Sequence, residues 1–424
     1  MSGRKEDRHR GADERHMHPG VAPAVPPGII AYRAISYRVM RDIRSLFPTD
    51  VPVPADMMIG RRGDVEEIAG ALARGTNIVL VGSRRTGKTS VAEAVLDRLR
   101  RSGSYTASID LFRRRDAMDL AEGIAQAVLA NRSAIRRLLN KIRDTAGAAA
   151  DAATITATAR IQAELGDAVE LALRPGTGAR DAGLALRAAL ELPQRIAVAD
   201  KVPVVMFLDE FQDISSPAHP FGDPDRITKQ MRAIFQRSPD VSFLFAGSIE
   251  HVMRDLFGPA DRALSQFGSF RALSTITHDE WRSGLASRLK QANVTADEPA
   301  LQELVKLGDG HPRSTMLIAR EAVAACTEGR LSASEVQVGW EMALTSDRLR
   351  HEQTLERIKL TKHALAVATR VARGGHPYTG LPPSAVHRAL RALEIAGLAD
   401  SPARGQWRID DPLLREYIAR LPGR

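Results

Sequence analysis

Apolar residues along this chain fall into two patterns, short unbroken runs and stripes at helical spacing. Asn77–Val81 (NIVLV), Val202–Leu208 (VPVVMFL) and Val241–Ala246 (VSFLFA) are unbroken runs of strand length, as a parallel sheet covered on both faces requires. Thr89–Arg100 (TSVAEAVLDRLR) instead repeats Val91, Val95, Leu96 and Leu99 at helical spacing, and Ala117–Ala130 behaves likewise. With Tyr105–Leu111 as a second strand, residues 56–130 read strand, loop, helix, strand, a parallel βαβ unit. A weaker strand is expected around Ala272–Ile276.

The pattern changes elsewhere. Residues 131–200 are alanine-rich and weakly patterned, with a Pro-Gly-Thr-Gly break at 175–178, and predict an insertion leading into a helix over Ala182–Ala199. Residues 279–347 read as helical, broken at Gly308-Asp309-Gly310-His311-Pro312. From Thr361 a helix–turn–helix pattern leads to a hairpin and a last helix. At 424 residues the chain is too long for one ordinary core.

Composition narrows the class. Hydrophobic residues at 44% and charged residues at 26% suit a soluble globular protein. The single cysteine, Cys326, excludes an intramolecular disulfide and a multi-cysteine zinc site. Its apolar setting (LIAREAVAAC) predicts a buried core thiol and a cytoplasmic protein. Residues 1–30 are charged, then Pro-rich, and read as a disordered basic tail in which His9, His16 and His18 bind metal only adventitiously. No run approaches the ~18 apolar residues of a membrane span. Residues 361–424 hold ten Lys/Arg against five Asp/Glu, so a basic C-terminal module is expected to attract an anionic partner.

Val81–Ser90 (VGSRRTGKTS) fits G-x-x-x-x-G-K-[ST] at Gly82, Gly87, Lys88 and Thr89. Glycines let successive N–H groups aim at phosphate oxygens, and the helix that follows adds its positive end. Lys88 is placed to reach the β- and γ-phosphates, and the Thr89 hydroxyl to ligate Mg²⁺. Nucleotide-contacting candidates are Gly82, Ser83, Arg84, Arg85, Thr86, Gly87, Lys88, Thr89 and Ser90. An ordinary glycine turn would leave the Lys-Thr pair unexplained. FLDEFQD (207–213) puts Asp209 and Glu210 at the C-terminal end of a buried strand, where parallel sheets site ligands. Asp209 would join the Mg²⁺ shell, and Glu210 would polarise water for attack on the γ-phosphate.

With MIGRRGDVEEI (58–68), FAGSIEHVMRDLF (245–257), GDGHPR (308–313) and DPLLREYI (411–418), these motifs stand in a familiar order. The chain resembles the archaeal-type ATPases of the STAND branch of P-loop NTPases, relatives of AAA+ proteins and Cdc6/Orc1-type initiators. That resemblance implies a three-layer α/β/α core with a strand inserted between those of the two phosphate-site motifs. It implies a core over 31–277, a helical lid over 278–350 and a winged helix over 351–424. It also places residues 58–68 near adenine, Ser248 as the γ-phosphate sensor, Arg313 as a lid arginine touching phosphate, and Arg254 or Arg262 as an intersubunit arginine finger. The chain departs from the family in its long Lys88–Asp209 gap and in having serine where Asn or Thr is usual.

The helix expected over 382–398 carries His387, Arg388 and Arg391 opposite an apolar stripe of Val386, Leu390 and Leu393, and Arg404 and Arg408 flank a wing-like turn. This is what a DNA-recognition helix needs, although winged helices also mediate protein contacts. Three functions fit: an ATP-driven switch that self-assembles, a DNA-bound loader or remodeller, and a nucleotide-gated scaffold without turnover.

Overall fold

The computed structural model describes residues 43–132, 181–216, 221–326, 328–403 and 405–422. The expected tail with its three histidines, Arg404 and residues 133–180 of the expected insertion lie outside them. Five strands, β1 (Ile78–Val81), β2 (Tyr105–Asp110), β3 (Val204–Asp209), β4 (Val241–Gly247) and β5 (Ser269–Ala272), form a parallel sheet in the order β2-β3-β4-β1-β5. β4 lies between the strands that carry the two phosphate-site motifs, as the resemblance implied.

Every residue of β1, β3 and β4 is buried because helices cover both faces. Strand alternation sorts the side chains. Ile78, Leu80, Val205, Phe207 and Leu244 pack with Val91, Leu96 and Leu72 of helices Lys88–Arg101 and Arg62–Ala73. Val79, Val81, Leu208 and Phe245 face helices Ala117–Leu129, Ala182–Asp200 and Pro224–Phe235.

Two expectations change. Helix Ala182–Asp200 is a structural layer, since Leu186, Leu190, Leu192 and Ile196 are buried against the sheet. Alanine richness hid this, because its buried leucines are diluted by small residues. The last strand is Ser269–Ala272, earlier than expected; as an edge strand it is largely exposed, so its sequence carries little apolar signal.

Helices His278–Gln291, Glu298–Gly308, Pro312–Ala325 and Ala333–Ser346 build a second core around Trp281, Leu285, Leu304, Leu317 and Val336. A third core gathers Leu355, Val367, Val386, Leu390, Leu393 and Ile418. It belongs to helices Arg348–Lys359, Ala364–Ala372, Pro383–Ile395 and Pro412–Ala419, with the antiparallel hairpin Asp400–Ala403/Gln406–Arg408. Leu413 of the last helix is buried in the second core, and Tyr417 packs against both. Cys326 ends helix Pro312–Ala325 half-buried, its Sγ 3.2 Å from the Arg330 carbonyl, so it is not the fully buried thiol expected. No helix among the described residues is long and apolar enough to cross a membrane.

Candidate functional site

After β1 the chain turns through Gly82 at φ 145°, Arg85 at 65° and Gly87 at 94°, and the helix starts at Lys88. The two glycines meet their φ values without a Cβ penalty, whereas Arg85 holds a left-handed conformation uncommon outside glycine. The Lys88 ammonium donates to the Gly82 and Ser83 carbonyls, 2.7 Å each, and Thr86 Oγ1 donates to the Ser83 carbonyl at 2.9 Å. Burial pushes the Lys88 amine down to about 8, although Glu210 and Asp209 favour its charge.

The end of β3 meets this loop. Thr89 Oγ1 donates to Asp209 Oδ2 at 2.7 Å, and the Glu210 N–H donates to Asp209 Oδ1 at 3.0 Å. Burial pushes the Asp209 carboxyl up to about 6, against the Thr89 hydrogen bond. Among the described residues no three His, Cys, Asp or Glu side chains cluster as a metal cage. One carboxylate beside one hydroxyl does fit a hard cation that takes its other oxygens from phosphate and water.

Glu210 sits at φ 49°, a left-handed conformation uncommon outside glycine. Ser248, at the end of β4, donates from Oγ to Glu210 Oε2 at 2.8 Å, and Arg84 Nε donates to Ser248 Oγ at 3.4 Å. Two side chains that the sequence reading left without a role complete the arrangement. Gln212 Nε2 donates to Glu210 Oε2, and Arg61 holds the phosphate loop by donating from Nη2 to the Thr86 carbonyl at 3.2 Å. Both stand inside motifs already singled out, and each is buried despite its polarity.

Residues 58–221 match the AAA ATPase domain family. An AAA-type P-loop ATPase domain is present. No curated protein sequence matches the chain. Among solved structures, it resembles the Walker-type ATPase of Pyrococcus abyssi, with TM-score 0.64 and 15% identity, over 88% of this chain and 99% of that one. The Aeropyrum pernix ORC2 protein, solved in ADPNP and ADP complexes, gives TM-score 0.52 and 16% identity, over 88% and 96%. Likeness at such identity shows a shared fold.

Beyond the AAA domain's centre, the structure redistributes several expected contacts. Met58, Ile59, Gly87, Trp281, Pro312 and Met316 line an apolar cleft beside the phosphate loop. Ser90 Oγ accepts the Val53 N–H at 3.0 Å. Arg313 is buried and committed to Asp347 through two bonds of 2.6 and 2.8 Å, so its guanidinium is not free for phosphate. Its position in the sequence marked it for the lid, but its carboxylate partner lies 34 residues on. His311 accepts the Ser314 N–H at 3.2 Å, capping helix Pro312–Ala325, and burial keeps it below the ordinary histidine range. Arg254 is held by Glu250 and lies over the Phe270 ring, and Arg262 pairs with Asp225 at 3.3 Å.

The C-terminal module reaches the same loop. The Ser83 hydroxyl donates to the Asp410 carboxylate and lies 3.5 Å from Asp400. Ser83, Arg84, Ser248, His311, Arg350 and Asp410 line a cavity of ≈ 260 Å³ there. His387 and Arg388 are exposed on helix Pro383–Ile395. Arg391 instead pairs with Glu394 at 3.6 Å and approaches Asp255 of helix Glu250–Phe257 at 4.0 Å, while Arg408 pairs with Asp410 at 2.7 Å.

Proposed function

We propose that the chain is an Mg-ATP-driven molecular switch of the STAND/AAA+ type, with a sheet core over 31–277, a helical lid over 278–350 and a winged helix over 351–424. The observation that carries this reading is the meeting of two things at Ser83. The hydrolytic set of Lys88, Thr89, Asp209, Glu210 and Ser248 lies on one side, and a carboxylate of the C-terminal module on the other. An incoming triphosphate takes the Lys88 ammonium from the loop carbonyls that now hold it. Thr89 and Asp209 would hold Mg²⁺, which would supply positive charge beside the phosphate oxygens. Glu210 orients and deprotonates the attacking water, and Ser248 links that carboxylate to the end of β4.

The same triphosphate competes with Asp410 for the phosphate loop, so binding displaces the C-terminal module and promotes self-assembly. His387 and Arg388 are the residues then best placed to meet DNA or a partner protein. Size-exclusion chromatography with and without Mg-ATP and DNA, with phosphate release on the same samples, tests this. Native protein should change elution with Mg-ATP, Lys88→Ala should not, and Glu210→Gln should bind without turnover. An elution profile indifferent to Mg-ATP defeats the switch. Phosphate release unchanged in Glu210→Gln removes Glu210 from hydrolysis.

A further inference from the structure

We infer that Gln212 is the positioning residue of Glu210, one side chain that fixes the water-activating carboxylate against the end of β4. Glu210 ends β3 in a left-handed conformation, and the short helical turn Phe211–Ser215 that follows brings Gln212 back toward β4. Gln212 is 4% exposed and uses both ends of its amide. Nε2 donates to Glu210 Oε2 and lies 3.5 Å from Ser248 Oγ, while Oε1 accepts the Ser248 backbone N–H at 3.2 Å.

The amide's orientation is fixed by chemistry, since the reverse would set its oxygen against a carboxylate and its nitrogen against an N–H. The approach also depends on Gly247, where a Cβ would stand 2.8 Å from Gln212 Oε1. Phe211 anchors the turn from below, its ring 4.8 Å from that of Phe245 in β4. A free glutamate samples several rotamers; here two donors, from Gln212 and Ser248, converge on the same oxygen and hold one.

This inference rests on the role proposed for Glu210, and the experiment separates the two. Single-turnover hydrolysis and calorimetric ATP affinity are measured for the full chain, Gln212→Met, Glu210→Gln and the double variant. Gln212→Met should lower kcat on the order of tenfold to hundredfold while ATP affinity stays within about twofold, as loss of orientation without loss of binding requires. In the Glu210→Gln background the same change should do nothing more, because no carboxylate is left to position. Gln212→Glu keeps the size and replaces the donor with an oxygen, so it should slow turnover as well and gives a second route if the methionine variant does not fold. Turnover that falls in Glu210→Gln but survives in the folded Gln212 variants overturns the positioning role alone. Turnover indifferent to Glu210→Gln overturns both roles. A Gln212 effect equally large with and without Glu210 means the residue supports the fold only.

Discussion

Asp209 offers a prediction that can be worked through to a number. Its carboxyl is 8% exposed and is pushed from the ordinary 3.8 to about 6 by burial, with the Thr89 hydroxyl opposing. Because the folded value is the higher one, the folded state binds this proton more tightly than the unfolded chain. The resulting stability is fully present below 3.8 and is lost as pH rises through about 6. Integrated between about pH 5 and about pH 7, that loss is ~1.3 kcal/mol, out of a ceiling of ~3 kcal/mol for the whole shift. Urea unfolding in EDTA should show the native protein losing this amount relative to Asp209→Asn over the same interval. Mg²⁺ requires the ionised form, so calorimetric Mg-ATP affinity in the native protein should weaken by up to about tenfold per pH unit below about pH 6. Parallel unfolding profiles for the two proteins would refute the reasoning, because a carboxyl exposed to water has no such penalty to relieve.

Other consequences can be checked directly. Asp410→Ala removes the carboxylate held by Ser83 and should raise ATP affinity several-fold by calorimetry; unchanged or weaker binding means the contact does not compete with phosphate. Arg313→Ala leaves Asp347 buried without its bidentate partner and should cost about 3–5 kcal/mol in denaturant unfolding. A stability loss near zero would show the pair to be open to water. If the C-terminal module grips nucleic acid, its affinity must drop steeply with salt, and His387→Ala with Arg388→Ala should flatten that dependence. Binding that is insensitive to salt excludes phosphate contacts.

The sequence made the centre of the site readable because phosphate chemistry restricts residue type and spacing together. Gly82, Gly87, Lys88 and Thr89 follow β1 into the helix, and Asp209 and Glu210 stand at the end of β3, with Thr89 Oγ1 2.7 Å from Asp209. The strands β1, β3 and β4 were equally plain, since burial on both faces leaves almost only apolar positions; besides Asp209 at the end of β3, Ser242 of β4 is the exception, its hydroxyl donating to the Leu72 carbonyl. What escaped were properties that depend on partners distant in the chain. Arg313 looks available until Asp347 is brought beside it, and the partner of the Ser90 hydroxyl, the Val53 N–H, comes from 37 residues earlier. Gln212 lay in full view within FLDEFQD, but only the left-handed turn at Glu210 gives it a direction. Helix Ala182–Asp200 was expected at nearly these bounds, but its place as a layer on the sheet was obscured because alanines dilute the buried stripe of Leu186, Leu190 and Ile196.

The last helix has a mechanical implication. Leu413 is planted in the core of the four-helix unit, Ser314 donates to Asp411 at 2.8 Å, and Arg420 grips Glu341 with two bonds of 2.7 and 2.8 Å. The C-terminal module is thereby riveted to the helices before it, and the two must travel as a single arm. The stretch Leu273–Ile276, between the edge strand and helix His278–Gln291, is held to the sheet side at Ser274, which donates to Asp64 and accepts from Arg61, and by Leu273, which packs against the sheet core. On the proposed switch reading, lifting Asp410 off the loop would therefore carry these two helical cores together.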